Sequence, residues 1–146
     1  MIRSLVRSLI DAIVGALVPT DTPYVATERL VNRGFVNSTS WTIEATSWTI
    51  AAGKATSGTG DGLSQSFSLV NSGVAVAFAA DVTNINDVVL EVLLQMDGIT
   101  VQTIYNTDPV AGLLSVTAVA QAEFNGIKFK ASGATGLTLD NVSLIA

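Results

Sequence analysis

Beyond residue 28, apolar residues recur at every second position in short runs closed by glycine, asparagine or aspartate. Nowhere in that region do they recur with the 3.6-residue spacing of a helix, so most of the chain is committed to strands. Val74, Val76, Phe78 and Ala80 alternate with smaller residues, as in a strand buried on one or both faces. Leu90, Val92 and Leu94 point one way while Glu91 and Gln95 point the other. Asp97-Gly98 then supplies a turn with positive φ, and Ile99, Val101 and Thr103 return, which predicts a hairpin. Leu113 to Ala120 predicts another strand, and Asn125-Gly126 reads as a second turn signal. After it, Ile127, Phe129 and Ala131 alternate with Lys128 and Lys130. Ser132-Gly133-Ala134-Thr135-Gly136 predicts one more turn before Leu137, Leu139 and Leu144. Strands at this spacing indicate an all-β, antiparallel sandwich.

The first 18 residues read differently. Arg3, Arg7 and Asp11 fall on one narrow stripe of a helix, and Ile2, Leu5, Leu9, Ala12 and Ala16 fit a heptad seam. The expectation is an N-terminal α-helix over residues 1–18 whose apolar side needs a protein partner. The residues expected at that assembly interface are Ile2, Leu5, Val6, Leu9, Ile10, Ile13 and Leu17. Two rival readings stand beside it: a helix packed on its own domain, and a targeting or membrane-surface segment. Two arginines before an apolar stretch suit a signal peptide, whereas Asp11 within that stretch does not. Pro19 and Pro23 stop the helix, so residues 19–27 read as an extended linker and residues 28–146 as the sandwich. The sequence Thr39-Ser40-Trp41-Thr42-Ile43 recurs as Thr46-Ser47-Trp48-Thr49-Ile50, which two adjacent short strands would produce.

Composition excludes several functions. The chain has no cysteine and no histidine, which removes disulfides, thiolate nucleophiles, the Ser-His-Asp relay and the commonest metal ligand. Seven basic residues against twelve acidic ones give a net charge of −5, without the basic footprint of a nucleic-acid binder. Hydrophobic residues make up 49% of the chain and mean hydropathy is +0.51, yet no apolar run is long enough to span a bilayer. The expected partner for that surplus is protein, with no membrane and no nucleic acid.

Asn32-Arg33-Gly34-Phe35, then Trp41, then Trp48-Thr49-Ile50 and Gly53-Lys54-Ala55, resemble the opening of jelly-roll, carbohydrate-binding-module-like domains. Leu63-Ser64-Gln65-Ser66-Phe67 resembles the next strand of that pattern, and Gly136-Leu137-Thr138-Leu139-Asp140-Asn141-Val142-Ser143-Leu144 its terminal strand. Domains of this type, rich in Ala, Thr, Ser and Gly, are similar to bacteriophage virion proteins, both tail fibres and capsid decorations. The resemblance implies a two-sheet jelly roll whose first and last strands pair. It also implies a non-enzymatic virion protein, with a capsid decoration or cement protein favoured over a fibre. Its partners would be itself, as a homotrimer, the major capsid protein, and a host surface glycan. The alternatives are a glycan-binding adsorption module and a secreted adhesin. The acidic residue that often follows the Gly-x-Phe opening is replaced here by Val36 and Asn37. Only Asp140, Asn141 and Glu28 remain as oxygen ligands, so neither a metal nor a cofactor is expected.

Trp41, Trp48 and Tyr105 are the candidate glycan contacts, since exposed aromatics stack on sugar rings. The competing reading places both tryptophans in the core, where each removes roughly 150–250 Å² from water. Tyr24, in the linker, is read as a packing contact. No catalytic residues are expected, because turn chemistry accounts for Asp61, Asp97 and Asp108. Gly58-Thr59-Gly60-Asp61-Gly62 lacks the lysine and helix of a phosphate loop. Lys128 and Lys130 share one strand face, read as a solvated outer face or as a contact for an acidic neighbour.

Overall fold

The computed structural model describes residues 25–45, 47–58, 60–83 and 87–146. The expected helix over 1–18, its interface residues from Ile2 to Leu17, most of the linker and Tyr24 lie outside the described residues. Among the described residues there are ten strands: β1 (Thr42–Ile43), β2 (Trp48–Ala51), β3 (Lys54–Ser57), β4 (Gly60–Val70), β5 (Ala75–Thr83), β6 (Val88–Met96), β7 (Ile99–Thr107), β8 (Gly112–Val119), β9 (Phe124–Gly133) and β10 (Thr138–Ile145). They form two five-stranded sheets, β1-β4-β9-β6-β7 (sheet I) and β2-β3-β10-β5-β8 (sheet II), with every pair antiparallel. The order β4-β9-β6-β7 facing β3-β10-β5-β8 is two interlocked Greek keys, the jelly-roll arrangement. Thr27 and Ala146 exchange backbone hydrogen bonds, both 3.1 Å, and Arg29 N donates to Leu144 O. The first described segment therefore meets the last strand through an isolated bridge, whereas the first strand, β1, pairs with β4 and not with β10 as the resemblance implied.

Alternation builds the core directly. Val76, Phe78, Ala80 and Val82 of β5 face Val88, Leu90, Val92 and Leu94 of β6 and Ile127, Phe129 and Ala131 of β9, with Leu139, Val142 and Leu144 of β10 beside them. Each large side chain buried in this way contributes roughly 1.5–3 kcal/mol. Phe129 is the aromatic centre, 5.7 Å from Trp41 and 5.6 Å from Phe78, and Phe35 lies 5.0 Å from Trp41.

The β6–β7 hairpin forms where expected. Asp97 (φ 51°) and Gly98 (φ 81°) make a two-residue turn between the cross-strand partners Met96 and Ile99. Asn125-Gly126 is not a turn; both residues lie inside β9. Asn125 instead uses its amide to brace the neighbouring hairpin, accepting from Asp97 N (2.9 Å) and donating to Asp97 Oδ1 (2.8 Å). A Cβ at Gly126 would meet Gln65 O at 3.2 Å, so this glycine serves a close backbone approach. The pentapeptide echo is likewise not a pair of adjacent strands: β1 belongs to sheet I and β2 to sheet II, and the chain crosses between sheets from one to the other.

Candidate functional site

The structure takes both tryptophans out of the candidate glycan platform. Trp41 is 6% exposed and Trp48 is 3% exposed, and both belong to the core between the sheets. The cause is local. Asn32 adopts a left-handed backbone (φ 49°), and its carbonyl accepts the Trp41 indole N–H at 3.1 Å while its side chain ties down the loop that follows. The Asn32 amide donates to Asn37 O and Thr39 O, and its Oδ1 accepts from Val36 N. In the sequence Asn32 stands only as the first residue of an Asn-x-Gly-Phe opening, a context that gives no sign of this organising role. Tyr105 of β7 is half-buried and packs against the core as the cross-strand partner of Val92. Burial first, and then the Asp108 carboxylate, hold its phenol above the ordinary tyrosine value, so it stays protonated and able to donate near neutral pH. The three expected residues are not brought together into one surface platform.

The conspicuous polar surface is the outer face of sheet I. Strand registry arranges it in three rows that cross the strands. One row runs Thr42, Ser64, Lys128, Leu93, Thr103; the second Ser66, Gly126, Gln95, Thr100; the third Lys130, Glu91, Asn106. Five strands at about 4.8 Å spacing make the first row roughly 19 Å long. Leu93 is 6% exposed although it lies outside the core cluster, so the polar side chains around it screen it from water. Lys128 is 15% exposed in its side chain and pairs with Glu44, its methylenes lying over Gly62 where a Cβ would collide. Gln95 is buried and donates to Gly98 O at 3.0 Å, which fastens the end of the face to the hairpin turn. Ser66, Thr100, Thr103 and Asn106 are exposed, and Ser64, Glu91 and Lys130 are half-buried. The sequence showed this alternation of Glu91 and Gln95, and of Lys128 and Lys130, but not which strands would lie side by side.

Glu28 is not available as a cation ligand. Its carboxylate accepts from Leu30 N (3.0 Å), Leu144 N (2.9 Å), Arg33 Nη1 (2.8 Å) and Ser143 Oγ (2.5 Å). Burial pushes its pKa up, but the hydrogen bonds from Ser143, Leu144, Leu30 and Arg33 together outweigh this and hold it below the ordinary glutamate value. Asp140 accepts from Asn141 N, and Asn141 donates to Asp81. Among the described residues no group of three acidic, histidine or cysteine side chains is placed to hold a metal ion, and no helix is long and apolar enough to cross a membrane.

The chain matches no known protein-family model and no curated protein sequence. Among solved structures it is similar to the CBM22-1–GH10 modules of Clostridium thermocellum endo-1,4-β-D-xylanase 10B, crystallised with xylohexaose. The TM-score is 0.52 at 15% identity, covering 84% of this chain and 28% of that one. At that identity the likeness is one of fold. The described residues form an all-β sandwich similar in fold to that structure.

Proposed function

We propose that the chain is a non-catalytic binding module that takes a glycan across the outer face of sheet I. The observation that carries this reading is the set of three rows of hydroxyl, amide, amine and carboxylate groups laid side by side over five strands. A ligand with hydroxyl groups repeated along its length meets such rows with many weak hydrogen bonds. The fold supports the same reading, since a sandwich of this type occurs in a chain crystallised with xylohexaose. Both tryptophans being buried, recognition rests on hydrogen bonds rather than stacking. At about 1 kcal/mol net per bond, four or five of them give a dissociation constant of roughly 0.2–1 mM, which repeated display of the module would strengthen.

The test is titration of the full chain against xylohexaose and a panel of bacterial surface polysaccharides, followed by amide chemical shifts. Binding should shift Ser66, Thr103 and Asn106 signals, and Glu91→Ala with Asn106→Ala should weaken it at least about tenfold without moving the unfolding midpoint. Absence of binding across the panel at millimolar ligand, or shifts confined to sheet II, would refute the assignment.

A second reading follows from the apolar character of residues 1–18. In it the sandwich is a bacteriophage capsid decoration, fastened or trimerised by Ile2, Leu5, Val6, Leu9, Ile10, Ile13 and Leu17. It predicts that the full chain sediments as a trimer, and that Leu5→Asp with Leu9→Asp returns it to a monomer.

A further inference from the structure

Two sheets have four edge strands, and among the described residues three of them are poor templates for another strand. Strand β1 has two residues, β2 has four, and β7 breaks its register with β6 between Val92 and Leu93 and again between Leu94 and Gln95. The fourth, β8, pairs with β5 over all eight of its residues without a register shift. The direction of its free edge is fixed at its end. Ala120 N donates to Val74 O, toward β5, whereas Val119 O accepts from the Gln102 amide at 3.0 Å and Gln121 N donates to Gln102 Oε1 at 2.9 Å, away from β5. Backbone groups alternate along an antiparallel strand, so Leu113, Ser115 and Thr117 turn both N–H and C=O to the free edge. No described residue pairs with them there. The core is open along the same edge: Val76, Phe78 and Ala80 of β5 are at most 1% exposed, whereas Leu114 and Val116 of β8 are only half-buried. Strand β8 carries none of the lysine, proline or bulges that protect open edges. The charges of sheet II stand elsewhere, with Lys54 on β3, Asp140 on β10, Asp81 on β5, and Glu28, paired with Arg33, bridged to Ile145 of β10.

We infer that β8 pairs antiparallel with β8 of a second copy, about a two-fold axis at Ser115, joining the two copies of sheet II into one continuous sheet. A cover for β8 has to bring an unbroken strand with apolar side chains toward the core and small polar ones toward water. Strand β8 is itself such a strand, with Leu114, Val116 and Ala118 on one side and Ser115 and Thr117 on the other, and no other edge among the described residues offers one. In this register Ser115 faces Ser115 of the second copy and Leu113 faces its Thr117, each pair exchanging both backbone hydrogen bonds. On the core side Leu114 meets the second copy's Val116 at the closer Cα spacing, about 4.5 Å, of a non-hydrogen-bonded pair. Two chains of net charge −5 repel, but residues 109–122 carry no charge, so they can approach here. Asp81, beside Leu113, lies three strand spacings and four residues from its counterpart, roughly 20 Å or about twice the Debye length. The two-fold axis stands perpendicular to the joined sheet, so both copies turn the outer face of sheet I to the same side. The pairing does not depend on the glycan reading, although it would present two such faces together.

The test is sedimentation and amide exchange of the full chain between about 5 and about 500 µM, the range suited to a small interface. The 15.1 kDa chain should convert from monomer to dimer, and exchange at Leu113, Ser115 and Thr117 should slow at least about tenfold as it does so. Thr117→Pro removes an N–H offered to the second copy and none offered to β5, and should leave a monomer with fast edge amides. Ser115→Lys, on an exposed side chain, sets two ammonium groups opposite each other and should weaken the dimer at least about fivefold with an unchanged urea midpoint, which serves if the proline disturbs folding. A chain whose edge amides still exchange freely at about 500 µM would overturn the pairing. Edge amides that are slow at every concentration would overturn it too, by showing that another part of the same chain covers β8. An oligomer untouched by both substitutions would overturn it in favour of an interface elsewhere.

Discussion

Replacing Trp41 by alanine separates a core tryptophan from a ligand-binding one. The side chain is 6% exposed, stacks within 5.0 Å of Phe35 and 5.7 Å of Phe129, and donates its indole N–H to Asn32 O. Removing about 200 Å² of buried ring at roughly 25 cal/mol per Å² sets an upper transfer cost near 5 kcal/mol. Partial collapse of the cavity lowers this, and the orphaned Asn32 carbonyl adds about 1 kcal/mol. The expected loss is therefore about 4 kcal/mol, a large share of the roughly 5–15 kcal/mol that holds a domain folded. With a urea slope of about 2 kcal/mol per M, the unfolding midpoint falls by about 2 M. Trp48 is the remaining tryptophan and reports the transition by fluorescence. Trp41→Phe keeps the ring contacts and loses the hydrogen bond, so it should cost only about 1–2 kcal/mol. A Trp41→Ala protein whose midpoint moves by less than about 0.5 M would refute the packing argument.

Three further outcomes are expected. Gly98→Ala meets no atom within 4 Å, so its cost of about 1–2 kcal/mol in urea unfolding comes from positive φ alone. Gly62→Ala pushes a Cβ into the Lys128 methylenes, must displace the Lys128–Glu44 pair, and should cost about 1–3 kcal/mol by the same assay. Glu28 has a folded pKa below its unfolded one, so its contribution is complete above the unfolded value of about 4.3 and is lost as pH falls through the folded value. Glu28→Gln should therefore flatten the acid limb of a stability–pH profile, and an unchanged limb would show that other carboxylates control it.

Strand identity was legible because it depends on neighbours two residues apart. Val76, Phe78 and Ala80, or Ile127, Phe129 and Ala131, announce a buried face by alternation alone, and Asp97-Gly98 announces its turn because few other dipeptides take positive φ twice. Asn125-Gly126 carried the same signal and misled. Its glycine answers a backbone approach from β4 and its asparagine serves a turn 28 residues earlier in the chain, and neither need is visible locally. The candidate site divides along the same line. That Trp41 and Trp48 anchor the core rather than form a platform was one of two readings open from the sequence, and burial decides it. That Ser64, Lys128, Leu93 and Thr103 form one row could not be read, because their order follows from a jelly roll placing β4, β9, β6 and β7 side by side. Local periodicity determined which face of each strand is wet. Only the tertiary structure decided which wet faces adjoin, because strand pairing over long sequence separations depends on how all the apolar faces close on one core.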